Sequence, residues 1–487
     1  MFSVHWGILK GLLILVLLSG PVFAQPKLPD FSQRGPNLSL DPFERLKSNG
    51  HPSDVRAPLT LDTEVEPAQH SDVTEENPSA TPVVEEAVKP SKVISIDNSP
   101  PYNYTMFLDV DYVRKFSGGA SSNPMGDDPN AVPSSTAYLG LLHFWGKYDT
   151  AKAKLWDNGA FVLHWIYGMG TSPTATVGDL RSVSNIDASF MSSGEMVMPG
   201  LDILELWYEH SFPFNQSSIR FGIGYLSSDF YKSKYTGLFL TSGINSIGTE
   251  ILWNTMASNP PNTTLGLWYK TKLSENIYGQ AVVFDGFPDH STKVFDLDIN
   301  SEEGIFIASE FGWSEGEAKK EGYFKMGVGA WYLSQNIKQN MTIGVKAYPG
   351  DPVATQGVYT VIDKAFDDKL GVFFKGGIAV NGINKFRHYF TLGITQKGII
   401  ESRPSDTIGL AVVQSKLSDT YIKYHGKDDQ GNVITFTQET IYELTYSIPV
   451  NKWLMIQPDL QYVLQPGMNV NNKNAVVGII RAEITLI

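Results

Sequence analysis

Tyr104-Thr105-Met106-Phe107-Leu108-Asp109-Val110-Asp111-Tyr112 carries a bulky apolar or aromatic side chain at every even position and turns Asp109 and Asp111 the other way. A period of two is the mark of a β-strand, whose successive side chains leave opposite faces. The same alternation returns down the chain. Over 201–212, Leu204, Leu206 and Tyr208 share one face and Glu205, Trp207 and Glu209 the other. Over 264–273, Leu265, Leu267 and Tyr269 oppose Trp268, Lys270 and Lys272; over 322–333, Phe324, Met326, Val328 and Tyr332 oppose Lys325 and Trp331. Over 454–464, Leu454, Ile456, Leu460 and Tyr462 oppose Gln457, Asp459 and Gln461.

A soluble sandwich would show this alternation with its apolar face inward. Three features favour lipid instead. The segments approach the ~9–11 residues of a tilted membrane strand. Aromatics gather near segment ends, as at Trp165-Ile166-Tyr167, Trp331-Tyr332, Trp453 and Tyr462, where interfacial girdles fall. The opposite face carries Glu, Lys, Arg and Trp, which suits a watery interior. Sixteen segments can be counted, near 103–113, 136–147, 158–170, 201–212, 217–226, 262–274, 275–287, 302–314, 321–334, 357–366, 370–381, 385–397, 406–417, 436–448, 452–465 and 474–486. An even number suits a single-chain barrel, and sixteen strands leave room for a channel. The expected fold is therefore all-β: a closed antiparallel transmembrane β-barrel of about sixteen strands over 99–487. The chain ends on such a strand, with Ile480, Ala482, Ile484 and Leu486 on one face, although its last residue is Ile487 and not an aromatic.

One long connection, 227–262, contains Leu238-Phe239-Leu240 and Ile251-Leu252-Trp253. It is too apolar for a free external loop, so it is expected to fold into the barrel as a constricting internal loop. The competing reading packs it on the rim or at a subunit contact.

Residues 1–24 read as a signal peptide: a weakly basic start with His5 and Lys10, the apolar run 11–18, and small residues before Gln25. That run is about half the length of a bilayer span. Residues 25–98 read as a flexible, acidic, Pro-rich periplasmic linker, with 13 acidic and 7 basic side chains. The stretch 64–90 has no Trp, Tyr or Phe and cannot bury enough apolar area to offset its ordering entropy. A short helix over 41–47 is a further expectation.

The whole chain has 38 Lys and Arg against 51 Asp and Glu, a net charge of −13, which argues against nucleic acid as a partner. Cysteine is absent, which removes disulfides, thiolate metal sites and a Cys nucleophile together. The nine His are scattered and no His-Glu-x-x-His, Gly-x-Ser-x-Gly or phosphate loop is present. Asp296-x-Asp298-x-Asn300 opens like a calcium loop, but Ser301 stands where Gly is needed and Ile307 where the closing carboxylate belongs. Glu205 and Glu209 are ~13 Å apart on one strand, too far for a glycosidase pair. No enzyme, cofactor or metal is expected.

Four local stretches resemble the OprB-type carbohydrate-selective porins. They are Gly178-Asp179-Leu180-Arg181-Ser182-Val183-Ser184-Asn185-Ile186-Asp187-Ala188, then Leu204 to Phe212, then Asp229-Phe230-Tyr231 with Tyr235 to Leu240, and finally Pro449, Trp453-Leu454, Gln457-Pro458-Asp459-Leu460-Gln461-Tyr462 and Pro466-Gly467. The last is the most specific. Together they span about 100–487. The family's Gly-Asp-Trp-Gly-Gly-type segment is missing before the first strand, where the acidic linker stands, so no periplasmic N-terminal element is carried over. The resemblance implies an outer-membrane channel admitting sugars through a charged and aromatic constriction.

Such a pore needs aromatic faces for the C–H face of a sugar and charged groups for its hydroxyls, both weak enough for release. The inward-facing candidates are Asp109, Asp111, Glu205, Trp207, Glu209, Arg220, Trp268, Lys270, Glu310, Lys325, Trp331, Lys375, Arg387, Glu443 and Asp459. Glu209 and Arg220 flank the turn at 213–217, so a cross-strand pair is expected. The expected function is a passive outer-membrane diffusion channel for carbohydrates and similar neutral polyols, with small sugars and outer-membrane lipid as partners. A general or differently selective porin, a secreted soluble β-sandwich binding protein and a barrel-borne hydrolase are the alternatives. A homo-oligomer is compatible with the pattern, which does not fix a copy number.

Overall fold

A computed structural model describes residues 100–487 except 121–133, 188–189, 193–194, 198–200, 287, 289–303, 335–353, 381 and 429. The leader, linker and short helix expected over 1–98, and the 296–300 motif, lie outside the described residues. Among those described, the strands in chain order are β1 (Tyr102–Gly119), β2 (Thr136–Asp149), β3 (Gly159–Gly170), β4 (Phe190–Ser192), β5 (Glu195–Val197), β6 (Leu201–Phe212), β7 (Ser217–Gly224), β8 (Thr264–Lys272), β9 (Ile277–Asp285), β10 (Ile305–Glu315), β11 (Phe324–Leu333), β12 (Thr355–Ala365), β13 (Leu370–Ala379), β14 (Phe386–Lys397), β15 (Thr407–Leu417), β16 (Gln438–Pro449), β17 (Leu454–Leu464) and β18 (Lys473–Thr485). Sixteen of them close one antiparallel barrel in which chain neighbours pair, β3 pairs with β6, and β18 returns to β1. β4 and β5 form a separate two-stranded sheet that the alternation did not suggest. A single closed sheet rules out the sandwich, because closure leaves no second layer against which an apolar face could pack.

The faces fall as the period of two requires. Val110, Tyr112, Leu267, Tyr269, Val328, Leu392, Leu410, Leu444, Leu460 and Ile480 are exposed on the outside, while Asp109, Asp111, Lys375, Glu443 and Arg481 are buried within. In water this outer belt would be a large unfavourable exposure of hydrocarbon; in a bilayer it is the matching surface. One predicted position is corrected. Leu204 was placed with Leu206 and Tyr208, but a register shift opposite His164/Trp165 makes it the extra residue of a bulge, and it is fully buried while Leu206 stays exposed. Trp331, read with Tyr332 as part of an aromatic girdle, points inward and is buried, in keeping with its place among the interior candidates.

Short turns such as 213–216, 273–276 and 366–369 share one end with Tyr102 and Thr485, and the long connections share the other. In outer-membrane barrels the short turns are periplasmic and the long loops external. Two of the external connections, 172–187 and 225–263, run into the barrel. Val183, Ile186, Phe239, Ile244 and Ile247 on them are fully buried. A buried loop must find partners for its backbone N–H and C=O groups. The barrel wall supplies them, as described next.

Candidate functional site

Wall side chains hold the inserted segments in place. Glu443 accepts from the backbone N–H groups of Leu240 and Thr241. Glu310 accepts from Tyr231 N (2.9 Å), Tyr278 Oη (2.8 Å) and Tyr359 Oη (2.9 Å). Asp363 takes Ser233 Oγ (2.5 Å) and Lys234 N (2.7 Å). Cations meet the carbonyls: Lys375 Nζ donates to Ile244 O (3.0 Å) and to Ser246 O, and Lys325 Nζ to Lys232 O (2.7 Å). Arg481 bridges wall and segment at once. Its Nε and Nη2 donate to the two oxygens of Asp111 at 2.7 Å each, and Nη1 donates to Asn185 Oδ1 at 2.7 Å. On the inserted helix Thr249–Thr255, burial pushes the Glu250 carboxyl up to about 8, although Tyr231, Arg181 and Lys375 oppose the shift.

Along β6–β11, toward the periplasmic end, the inward side chains keep some access to water. Glu209, Arg220 and Lys270 expose 24%, 10% and 29% of their side chains. The guanidinium of Arg220 lies 4.0 Å from the centre of the Trp207 ring, a cation–π stack. It donates to Glu209 Oε2 at 3.0 Å, the pair expected across the turn, and to Asp229 Oδ2 at 2.7 Å. Lys270 closes on the other oxygen of Asp229. Burial alone would raise the Asp229 carboxyl, but Arg220 first and Lys270 next hold it well below the usual range. Trp207 Nε1 in turn donates to Glu205 Oε1 at 3.1 Å. Beside this cluster a cavity of about 580 Å³ opens at the periplasmic mouth, lined by Lys270, Tyr278, Gln280, Ser211 and Ser314 among others. Its size is that of small-molecule sites.

The fifteen candidates thus divide by place. Trp207, Glu209, Arg220 and Lys270 come together around Asp229. Asp111, Glu310, Lys325, Lys375 and Glu443 tie down the inserted segments. Asp109 and Glu205 flank a histidine pair, with His143 Nε2 at 4.0 Å from Asp109, His164 Nδ1 at 3.4 Å from Glu205, and the two rings joined at 3.1 Å. Trp268 packs edge-on to Phe284 at 4.9 Å, and Asp459 accepts from Gln461 at 2.9 Å; both, like Trp331, are buried. Arg387 stands apart at a bulge on the external rim, 3.9 Å from Asp419. Asp229, His143, His164 and Arg481 escaped selection. Asp229 lies in a connection, where alternation has nothing to say. Arg481 could have been found, because it stands with Glu483 on the side of the final strand opposite the apolar face of Ile480, Ala482, Ile484 and Leu486.

The profile of the carbohydrate-selective porin family OprB matches residues 134–486. The chain belongs to the OprB family. Porin B of Pseudomonas aeruginosa is 24% identical over 305 residues, which cover 57% of this chain and 56% of that protein. Putative porin QuiX of Acinetobacter baylyi is 26% identical over 286 residues, 52% of this chain and 62% of the relative. The chain thus matches less than two thirds of the length of either relative. The high-pH structure of Pseudomonas putida OprB aligns with a TM-score of 0.64 at 19% identity, covering 80% of this chain and 95% of that one, a likeness of fold. OprB membership and the closed barrel place the chain in the outer membrane. Its family and fold are those of channels.

Proposed function

We propose that the chain is a passive diffusion channel that passes small sugars and similar neutral polyols. The observation that carries this reading is the Trp207–Arg220–Asp229–Lys270 cluster beside the cavity. It offers an aromatic ring together with fixed charges of both signs, the two kinds of contact a hydroxylated ring uses in place of water. Its charges are paired with one another, so a neutral polyol exchanges hydrogen bonds there without meeting a large net field, and no single tight pocket retains it. The inserted segments narrow the route past β6–β11, and the inward anchors Glu310, Lys375 and Glu443 act by holding those segments. Residues 1–24 serve as a leader removed on export and 25–98 as a tether.

Liposome swelling tests the reading. Reconstituted protein is expected to admit glucose faster than amino acids of similar size. Trp207→Ala should lower that preference about tenfold, the order of one aromatic contact. Equal rates for both solute classes in the unmodified protein would reject sugar preference in favour of a general porin on the same scaffold.

A further inference from the structure

We propose that the external rim of β14 and β15 binds the phosphate groups of outer-leaflet glycolipid. In the ladder His388 lies opposite Lys416 on one side and Ile378 on the other. Ile378 is exposed on the outer face, so this row faces outward, away from the channel. A bulge between Phe386 and His388 adds Arg387 at the same height. Arg387 Nη1 is 3.9 Å from Asp419, while its Nε is buried without an acceptor among the described residues. Lys423 and Lys427 follow on the connection above, where Asp428 is engaged by Asn432.

Arg387 and Lys416 thus set a guanidinium and an ammonium on either side of the His388 ring. Here a cationic patch persists on a chain whose net charge is −13. Guanidinium with ammonium is the usual donor set for phosphate. The position selects the source. Further down the same face, past Phe390 and Gln414, Leu392 and Leu410 are half exposed and belong to the apolar belt. A ligand at this height has hydrocarbon beneath it and charge at its head, which describes a phosphorylated lipid and not a free ion. The outer leaflet of such membranes is built of phosphorylated glycolipid.

The test uses the full-length protein in a neutral detergent, with lipids retained on it counted by native mass spectrometry. Bis-phosphorylated lipid A is compared with its dephosphorylated form, and inorganic phosphate is added as a competitor. The unmodified protein is expected to retain the phosphorylated lipid about tenfold better, the order of one charge-assisted hydrogen bond. Replacing Arg387, His388 and Lys416 together by Gln should abolish the preference, with heat-modifiable gel mobility reporting that the barrel is intact. Should the triple variant fail to fold, Lys416→Gln alone is expected to reduce the preference severalfold. Equal retention of the two lipids, or an unchanged preference in the folded variant, would overturn the proposal. Displacement of the lipid by millimolar phosphate would overturn the lipid as the source.

Discussion

Arg481 shows how much one residue can organise here. It is fully buried, and so is Asp111, its doubly bonded partner on the first strand. A buried ion pair gains little over a well-packed apolar pair, but removing one partner strands the other charge. Asp111→Asn is therefore expected to cost ~3–5 kcal/mol, read as a lower temperature for the heat-modifiable gel shift. Asp111→Asn with Arg481→Met should recover much of the loss, and a single variant as stable as the parent would show that the pair is solvated. Asp109 and Asp111 were legible as inward residues from their alternation alone. What they touch was not, because the partners stand far along the chain: His143 on the second strand for Asp109, and Ser184 and Arg481 for Asp111.

At the level of elements, the periodic strands were read almost whole and the inserted segments only in outline. The expected segment 217–226 ends at Gly224, and 103–113 extends to Gly119, but all sixteen spans meet a barrel strand. Alternation reports which face a residue takes, so a bulge such as that at Leu204, which adds one residue without changing composition, escapes it. The apolar clusters of 227–262 did give away that this connection is buried. The segment 172–187 is short and polar, and its sequence did not announce insertion. The wall makes room for the insert with glycine: a Cβ on Gly371 would lie 1.9 Å from the ring of Tyr235, and one on Gly377 1.7 Å from Glu250. Gly371→Val is thus expected to push the segment off β13 and raise single-channel conductance, with the barrel still heat-modifiable. Conductance equal to that of the parent would mean that Tyr235 can swing aside.

For the whole molecule, the sequence was enough to establish a closed barrel because lipid outside and polar groups inside impose the same rule on every strand. It could not say how full the interior is, since a charge facing water and a charge bonded to an inserted backbone leave the same trace in an alternating pattern. Deleting 237–259 removes the acceptors and donors that Lys375 and Glu443 meet, and it should enlarge the passage more than Gly371→Val does. Planar-bilayer recordings of both variants check the order, and a deletion no more conductive than the parent would place the narrow point elsewhere. The seam between β18 and β1 carries a consequence for biogenesis. Arg481 on the last strand meets Asp111 of the first and Asn185 and Ser184 of the insert. A terminal strand that arrives before the insert is seated finds only one of those three. Zipping up the cylinder is thereby made conditional on its contents, so that an empty shell is the less stable product.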